Sequence, residues 1–489
     1  MALEVFNTLS NRLEPLQPLE DKRIRMYSCG PTVYDYGHIG NFRTFVFVDL
    51  FRRFLRQSGY RLDHVMNITD VDDKIIRNAS QKGLGVREYA EVYERAFFED
   101  MRMLSLQKPE RIARATEHIP EMARLIARLE QKGFAYRTED GSYYYRIASF
   151  PEYGKLSKKD MSGITDGARV DVDEYEKDNV RDFALWKAPK PGEAQWQTEI
   201  GPGRPGWHIE CSAMAMEYLG ETLDIHLGGE DLIFPHHENE IAQSEAATGK
   251  RFARYWMHVR FLLVEGQKMS KSLGNFYTLR DLMLKGHKAS SIRYLLASVP
   301  HQKQLNFTLD GLTQAAHSVE RLRNFKLRLE TGHFPAGNTP EIQALARSTR
   351  QKMRVALEDN MNTAQALAAI FDMLRESNAA ADAGKLLRGD VEELQPVLQQ
   401  FDEIFAVLQD DDAEKTRQVL EWARAEGKLA DDAAAVPRLS KEEVEQKIEQ
   451  RQQARRARDF SRADTIRRDL EQAGIILEDT KDGVRWKYR

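Results

Sequence analysis

Cysteine is nearly absent. Two occur in 489 residues, Cys29 and Cys211, far apart along the chain. That excludes a disulfide framework and fits a reducing compartment, where an isolated cysteine is a core filler, a nucleophile or a metal ligand. No run of about 18 apolar residues occurs, so no transmembrane helix is expected. The opening "MALEVFNTLSNRLEPL" carries Glu4 early and has no continuous apolar stretch of signal-peptide length, so a cytoplasmic protein is expected. A strong basic excess is missing too. The formal charge of -4 argues against a protein that coats nucleic acid everywhere, and leaves room for a local basic face. There is no internal repeat. What is present, 42% hydrophobic and 30% charged residues, describes a soluble globular chain, and its length calls for three or more domains.

The zinc-protease pattern His-Glu-x-x-His also fails. In "IFPHHENE" (233–240), the residue four places after His237 is Ile241. If a helix starts at Pro235, His236 and Glu240 are four apart and share a face. His237 and Glu240, three apart, share one equally well, so spacing does not choose between the histidines. Alone, the stretch reads as a solvated helix start. Together with the two cysteines it makes a Cys/Cys/His/Glu set, which matches zinc in ligand type.

"KRIRMYSCG" (22–30) alternates and runs into Gly-Pro, a strand followed by a loop. "NFRTFVFVDLFRRFLRQSG" (41–59) has helical spacing and ends at glycine. "YRLDHVMNIT" (60–69) returns as a strand, which completes a βαβ unit and opens a parallel sheet. Helix is expected onward to about 134, then a hairpin around Asp140-Gly141. Residues 150–206 read as an irregular insertion. "LDIHLGG" (223–229) and "RYWMHVRFLLVEG" (254–266) are expected as further strands. Beyond 290 the pattern is almost wholly helical. Residues 408–440 read as a linker with some helix, and a basic module ends the chain.

Two loops carry phosphate chemistry. "YDYGHIGNFR" (34–43) lies between a strand and its helix. There a phosphate meets free backbone N–H groups and the positive dipole end. Gly37 and Gly40 permit close approach, and His38 adds a donor. "EGQKMSKSLGN" (265–275) puts Lys268 and Lys271 on a hydroxyl-rich loop after a strand. Two cations suit the charge that builds up on a polyphosphate leaving group. Each loop alone is an ordinary turn; their order and placement make the pair specific.

The pair resembles the ATP site of class I aminoacyl-tRNA synthetases, with Asn41 where the first motif usually has His. Longer blocks resemble the cysteinyl-tRNA synthetase family: "CGPTVYDYGHIGN" (29–41), "NITDVDDKII" (67–76), "GPGRPGWHIECSAM" (201–214), "GGEDLIFPHHENEIAQSEAATG" (228–249) and "KMSKSLGN" (268–275). The tail "ARDFSRADTIRRDLEQAGIILEDTKDGVRWK" (457–487) matches as well. The resemblance implies an α/β fold: a Rossmann-like catalytic domain over 1–289, with an insertion at about 120–205 and the lysine loop region at 254–289. A helical bundle at 290–407, a linker at 408–440 and an anticodon-binding module at 441–489 follow. It implies one zinc held by Cys29, Cys211, His236 and Glu240, which selects His236 over His237. It implies ATP bound with magnesium by Gly37, His38, Gly40, Asn41, Asp231 and Lys271, with His38, Lys268 and Lys271 catalytic. Thr69, Trp207 and Asp231 would meet the substrate.

The implied partners are ATP, L-cysteine and tRNA(Cys), on a monomer with no membrane contact. Arg455, Arg456, Arg458, Arg462, Arg467 and Arg468 would face tRNA phosphates, and Trp486 would stack on a base. Zinc makes physical sense here. Cysteine and serine differ by one atom, which an apolar pocket separates poorly, whereas zinc prefers thiolate. Departures from the family are Ile200, where a Trp-Gly pair is usual, and Arg77, where a second lysine after Lys74 would support a pyridoxal phosphate side activity. Two rival readings are a ligase joining activated cysteine to a small amine, and a non-catalytic RNA binder.

Overall fold

The computed structural model describes residues 3–159, 169–170, 182–191, 193–429, 441–457, 459–473, 475–480 and 483–488. The βαβ opening forms as expected. Strand β1 (Arg23–Ser28) leads through the glycine loop into α1 (Ile39–Gln57), and β2 (Arg61–Ile68) returns parallel to β1, from Arg23 opposite Arg61 to Ser28 opposite Met66. Helix α1 buries a wide apolar face that includes Phe42, Val46, Leu50, Phe51 and Phe54. Each such side chain contributes about 1.5–3 kcal/mol when buried.

Three more strands complete a parallel sheet: β3 (Arg111–Arg114), β4 (Leu223–Gly229) and β5 (Ala253–Val259), in the order β5-β4-β1-β2-β3. The chain leaves β1 toward β2 and β3, and later re-enters on the opposite side of β1 with β4. The point between β1 and β4 is therefore where the order reverses, and such a crevice at the carboxyl ends of the strands is where open α/β sheets bind ligands. Between β3 and β4 the insertion builds its own sheet from Ala135–Arg137, Tyr143–Tyr145, Asp182–Lys187 and Arg204–Pro205, with Arg169–Val170 beside Asp182–Lys187. Asp73 fastens this sheet to the catalytic body, with Lys187 Nζ at 2.9 Å and Arg204 Nη2 at 2.5 Å.

Two expectations need correction. The stretch before 134 is not all helix, because Arg111–Arg114 pairs with β2 as the sheet's edge. Residues 254–266 are not one strand. Ala253–Val259 is β5, while Leu262–Val264 belongs to a separate three-stranded sheet with Gln267–Lys268 and Leu305–Phe307.

Helices Ala289–Ser298, Leu309–Thr331, Pro340–Glu358, Thr363–Asp382 and Arg388–Phe405 follow. Arg293 joins the first of them to the catalytic body. Its guanidinium meets Asp49 at 2.6 Å, Phe405 O at 2.6 Å and Leu104 O at 2.8 Å. Contacts divide the chain into Met1–Asp410 and Asp411–Arg489. The second unit contains Asp412–Ala425, so part of the expected linker is helix, and residues 430–440 lie outside the described residues. It continues with helices Lys441–Arg456 and Phe460–Gln472 and the hairpin Ile475–Thr480/Gly483–Tyr488. Val444, Ile448, Ile466, Leu470, Ile475 and Leu477 form its core, and Trp486 packs against them, partly buried. Arg455, Arg456, Arg462, Arg467 and Arg468 are exposed, and Arg458 lies outside the described residues. Among the described residues no helix is long and apolar enough to cross a membrane.

Candidate active site and metal centre

Four side chains from three distant parts of the sequence converge at the reversal point. Cys29 is the first residue past β1. Cys211 sits within α2 (Trp207–Leu219). His236 lies in the turn Ile233–His237 that precedes α3 (Glu238–Thr248), and Glu240 is in the first turn of that helix. The α-helix thus begins three residues later than Pro235. Helical backbone is nonetheless in place at His237, and His236 Nε2 comes 3.0 Å from Glu240 Oε1. All four are buried, with exposures of 7%, 1%, 1% and 0%.

Their ligand atoms lie within 4.8 Å of one another. Zinc bonds of about 2.3 Å to sulfur and 2.0–2.2 Å to nitrogen or oxygen imply tetrahedral edges of roughly 3.3–3.8 Å. The Cys29 Sγ–Glu240 Oε1 separation of 3.8 Å and the His236–Glu240 pair at 3.0 Å are close to such edges. A second group, Cys29, His226, His237 and Glu240, is equally compact. It offers one sulfur instead of two. His226 Nε2 donates to Glu240 Oε2 at 2.8 Å, and His237 Nδ1 pairs with His258 Nε2 at 2.8 Å. The two-sulfur group is the softer one and suits zinc better.

Charge points the same way. Burial pushes the Glu240 carboxyl up, but His226 and His236 beside it outweigh burial and hold it at about 2. Burial disfavours a charged His236, yet Glu240 and Cys211 raise it to about 10. Burial drives the Cys29 thiol up, and Cys211 and Glu240 add to that. Cys211 is lowered: burial opposes, while the Cys29 thiol and His236 prevail. A divalent cation held by these four groups would displace two protons, one from the His236 imidazolium and one from the Cys29 thiol.

Further histidines surround the four. His208 Nδ1 meets His236 Nδ1 at 2.9 Å, which orients the His236 ring with Nε2 toward Glu240. His237 Nε2 is 3.2 Å from Cys29 Sγ, and His258 Nδ1 reaches Thr8 Oγ1 at 2.8 Å. Outer partners of this kind fix ligand orientation. Trp207 stacks on the His236 ring with centroids 4.2 Å apart, at the edge of the cluster.

The two phosphate loops meet beside this cluster. His38 is the N-cap of α1. Its Nδ1 accepts from Asn41 N, while Asn41 Oδ1 accepts from His38 N, both at 3.2 Å. Asn41 therefore completes a capping box. With Nδ1 accepting, the His38 proton resides on Nε2, the atom free to donate outward. Burial, with Lys271 nearby, lowers this histidine to about 4, so it is neutral at ordinary pH. Gly40 has a specific reason to lack a side chain. A Cβ there would lie 2.9 Å from His38 Nδ1 and 3.2 Å from Met269 Cε. At Gly37 a Cβ would press on the Phe42 ring at 3.0 Å. From the lysine loop, Ile39 N donates to Tyr277 O at 3.0 Å and Phe276 packs edge-on against His38. Lys271 Nζ reaches Asp35 Oδ2 at 2.7 Å. Lys268 is exposed on the short strand Gln267–Lys268.

Thr69 follows β2 and is buried, and its Oγ1 donates to Glu210 Oε2 at 2.9 Å. Asp231 is exposed just beyond β4 at the mouth of the crevice. Sequence reasoning singled out neither Asp35 nor Glu210, nor His208, His226 and His258; it weighed His237 only as an alternative ligand. Each lies inside or beside a quoted motif, and a buried histidine in the apolar strand "LDIHLGG" was the available signal.

Comparison with known proteins agrees with this arrangement. Residues 15–317 match the family model of the tRNA synthetases class I (C) catalytic domain, and 352–409 match the DALR domain. The chain is 65% identical to a cysteine–tRNA ligase of Koribacter versatilis (strain Ellin345), over 100% of both chains. It is 55% identical to that of Solibacter usitatus (strain Ellin6076), again over 100% of both, and 42% identical to that of Protochlamydia amoebophila (strain UWE25), over 99% and 98%. Among solved structures, methionyl-tRNA synthetase of Mycobacterium tuberculosis with methionyl-adenylate shares the fold. That match has a TM-score of 0.58 and 16% identity, and covers 82% of this chain and 93% of the other. The relatives are matched through the terminal module, which disfavours the small-amine ligase reading. A reversed-order parallel sheet, a glycine loop facing a lysine loop and end-to-end identity at this level have one explanation: the chain belongs to the cysteine–tRNA ligase family of class I aminoacyl-tRNA synthetases.

Proposed function

We propose that the chain joins L-cysteine to tRNA(Cys) in two steps, with zinc selecting the amino acid. In the first, the cysteine carboxylate attacks the α-phosphate of magnesium-bound ATP, and pyrophosphate leaves. In the second, the terminal ribose hydroxyl of the tRNA displaces AMP. No covalent bond to the protein forms, so catalysis consists of positioning and charge stabilisation.

His38 Nε2 and the N-terminus of α1 receive the phosphates, with Gly37, Gly40 and Asn41 shaping that turn. Lys271, released from Asp35, and Lys268 neutralise the departing pyrophosphate. Asp231 sits where the ribose or the substrate amine would lie, and Thr69, held by Glu210, lines the amino-acid side. Trp207 walls the pocket next to His236. Cys29, Cys211, His236 and Glu240 would hold the zinc. When bound there, zinc favours the substrate's sulfur as thiolate over the oxygen of serine. The exposed arginines of the terminal module offer cations to tRNA phosphates.

The observation that carries the reading is the buried two-sulfur, imidazole and carboxylate group at the reversal point, beside the phosphate loops. The test combines zinc analysis of purified protein with cysteine-dependent ATP–pyrophosphate exchange and transfer to tRNA(Cys). Zinc-free protein that still activates cysteine in preference to serine would overturn zinc selection. Cysteinyl-adenylate formed without transfer to tRNA would overturn the second step.

A further inference from the structure

A small cavity is lined by none of the residues proposed to bind ATP or zinc. It is lined by Arg43, Phe47, Leu50, Leu296, His301 and Thr363, and its enclosed part has room for about one water-sized guest. Arg43, His301 and Thr363 are its polar members, with exposures of only 1%, 3% and 2%. All three present unpaired atoms: Arg43 Nε and Nη1, both ring nitrogens of His301, and Thr363 Oγ1. Native interiors rarely leave such groups unsatisfied, and an unpaired buried donor costs about 1–3 kcal/mol.

The charge is the informative part. Arg43 Nη2 donates to the Lys303 carbonyl and more distantly to Pro300 O at 3.5 Å. Among the described residues, no acidic side chain is hydrogen-bonded to Arg43. Glu230 is the carboxylate whose field it feels, and Glu230 Oε1 faces Arg260 Nε at 3.3 Å. Buried guanidinium groups ordinarily have a counter-charge. His301, stacked on Phe47 with centroids 4.2 Å apart, is kept neutral by burial and by Arg43, at about 3. A neutral imidazole supplies one N–H donor. Thr363 supplies a hydroxyl and is the first residue of the 20-residue helix Thr363–Asp382, whose positive dipole end therefore borders the cavity. Arginine, imidazole N–H, hydroxyl and a helix N-terminus form an anion-binding set, and the walls between them are apolar.

We propose that this cavity is a site for a small monovalent inorganic anion, of the size and charge of chloride, which supplies the missing partner of Arg43. The guest would link three parts of the catalytic unit. Arg43 comes from α1, two residues past Asn41. His301 comes from the turn after Ala289–Ser298. Thr363 comes from the start of the next-but-two helix. The site shares Arg43 with the stretch 34–43 but none of the residues proposed to bind ATP, and it does not depend on the proposed reaction.

Bromide tests this directly, because it resembles chloride and scatters anomalously. Crystals of the full chain soaked in bromide should show an anomalous peak among Arg43, His301 and Thr363. In solution, replacing gluconate by chloride at constant ionic strength should raise the unfolding midpoint saturably, by about 2–5 °C at a hundredfold excess over Kd. Thr363→Val and Arg43→Met should weaken the response, the latter abolishing it. Should Arg43→Met fail to fold, the bromide map and Thr363→Val still decide. An ordered water at the cavity without an anomalous peak would overturn the proposal. So would a halide response unchanged in Thr363→Val and Arg43→Met.

Discussion

Replacing Glu240 by Gln changes one charge in a cluster with no slack. The carboxylate is 0% exposed and uses both oxygens. Oε2 accepts from His226 at 2.8 Å, and Oε1 faces His236 at 3.0 Å and Cys29 at 3.8 Å. A glutamine has one acceptor and one donor. If its oxygen stays on His226, its NH2 group points at the proposed metal position. If its oxygen turns to the metal, the NH2 group meets the His226 N–H. The His226 ring can relieve that clash only by moving its proton to Nδ1, a buried atom with no hydrogen-bond partner. Each arrangement loses a ligand or strands a buried donor, at about 1–3 kcal/mol. At 1.4 kcal/mol per factor of ten, zinc affinity should fall roughly 10- to 100-fold. A chelator-competition titration measures this, and the ratio of cysteine to serine in pyrophosphate exchange should fall with it. His236→Gln should cost more zinc affinity than His237→Gln, since only the former removes a proposed ligand. Affinity within about twofold of the parent for Glu240→Gln would refute the placement. A larger loss for His237→Gln than for His236→Gln would instead favour the second histidine group.

Arg293→Met should destabilise the catalytic unit by about 3 kcal/mol, because it takes the guanidinium from the buried Phe405 and Leu104 carbonyls and one of two guanidinium partners from Asp49, which keeps Arg53 Nε at 2.8 Å; urea unfolding reads the loss, and a change below about 1 kcal/mol would contradict the staple. Asp35→Asn removes an ion pair whose side chains are 66% and 38% exposed, so stability should hardly change. The apparent KM for ATP should fall by up to about fivefold, since Lys271 no longer has to leave Asp35; an unchanged or raised KM counts against that competition. His38 titrates near 4 in the folded chain, below the ordinary 6.5. Between those values the unfolded chain binds more protons, so stability should rise with pH through this window, be fully present above 6.5, and be lost as pH falls toward 4. His38→Gln should flatten that part of the profile, and an NMR midpoint for His38 near 6.5 would contradict its burial.

The legible parts of the fold were those with strong local signals. The alternation in β1, the continuous apolar face of α1 and the Asp140-Gly141 hairpin all appear where periodicity places them. Arg111–Arg114 escaped because a four-residue edge strand reading "RIAR" has too few residues to display a period. Residues 254–266 looked like one strand because Arg260 and Phe261 are too short a break to interrupt a hydrophobic run, although the two halves join different sheets. In the site, side chains within the motifs were readable, and their partners were not. Asp35 meets Lys271 across 236 positions and Thr69 meets Glu210 across 141, distances at which spacing carries no information. Asn41 was read as an ATP-binding residue standing where the first motif usually has His. In place it is the reciprocal half of a helix cap, a role that depends on α1 beginning at Ile39.

Cys29 and Glu240 approach each other from positions 211 residues apart. An ion shared between them clips one of the longest loops in the chain. The entropy removed from an unfolded chain by such a clip grows only slowly with loop length, yet it applies to every element the loop contains. The whole insertion and strands β2, β3 and β4 lie inside it, and β1 ends just before it. Metal in this pocket would therefore tie the catalytic unit together over long range, and its removal would be felt as softening far from the amino-acid pocket.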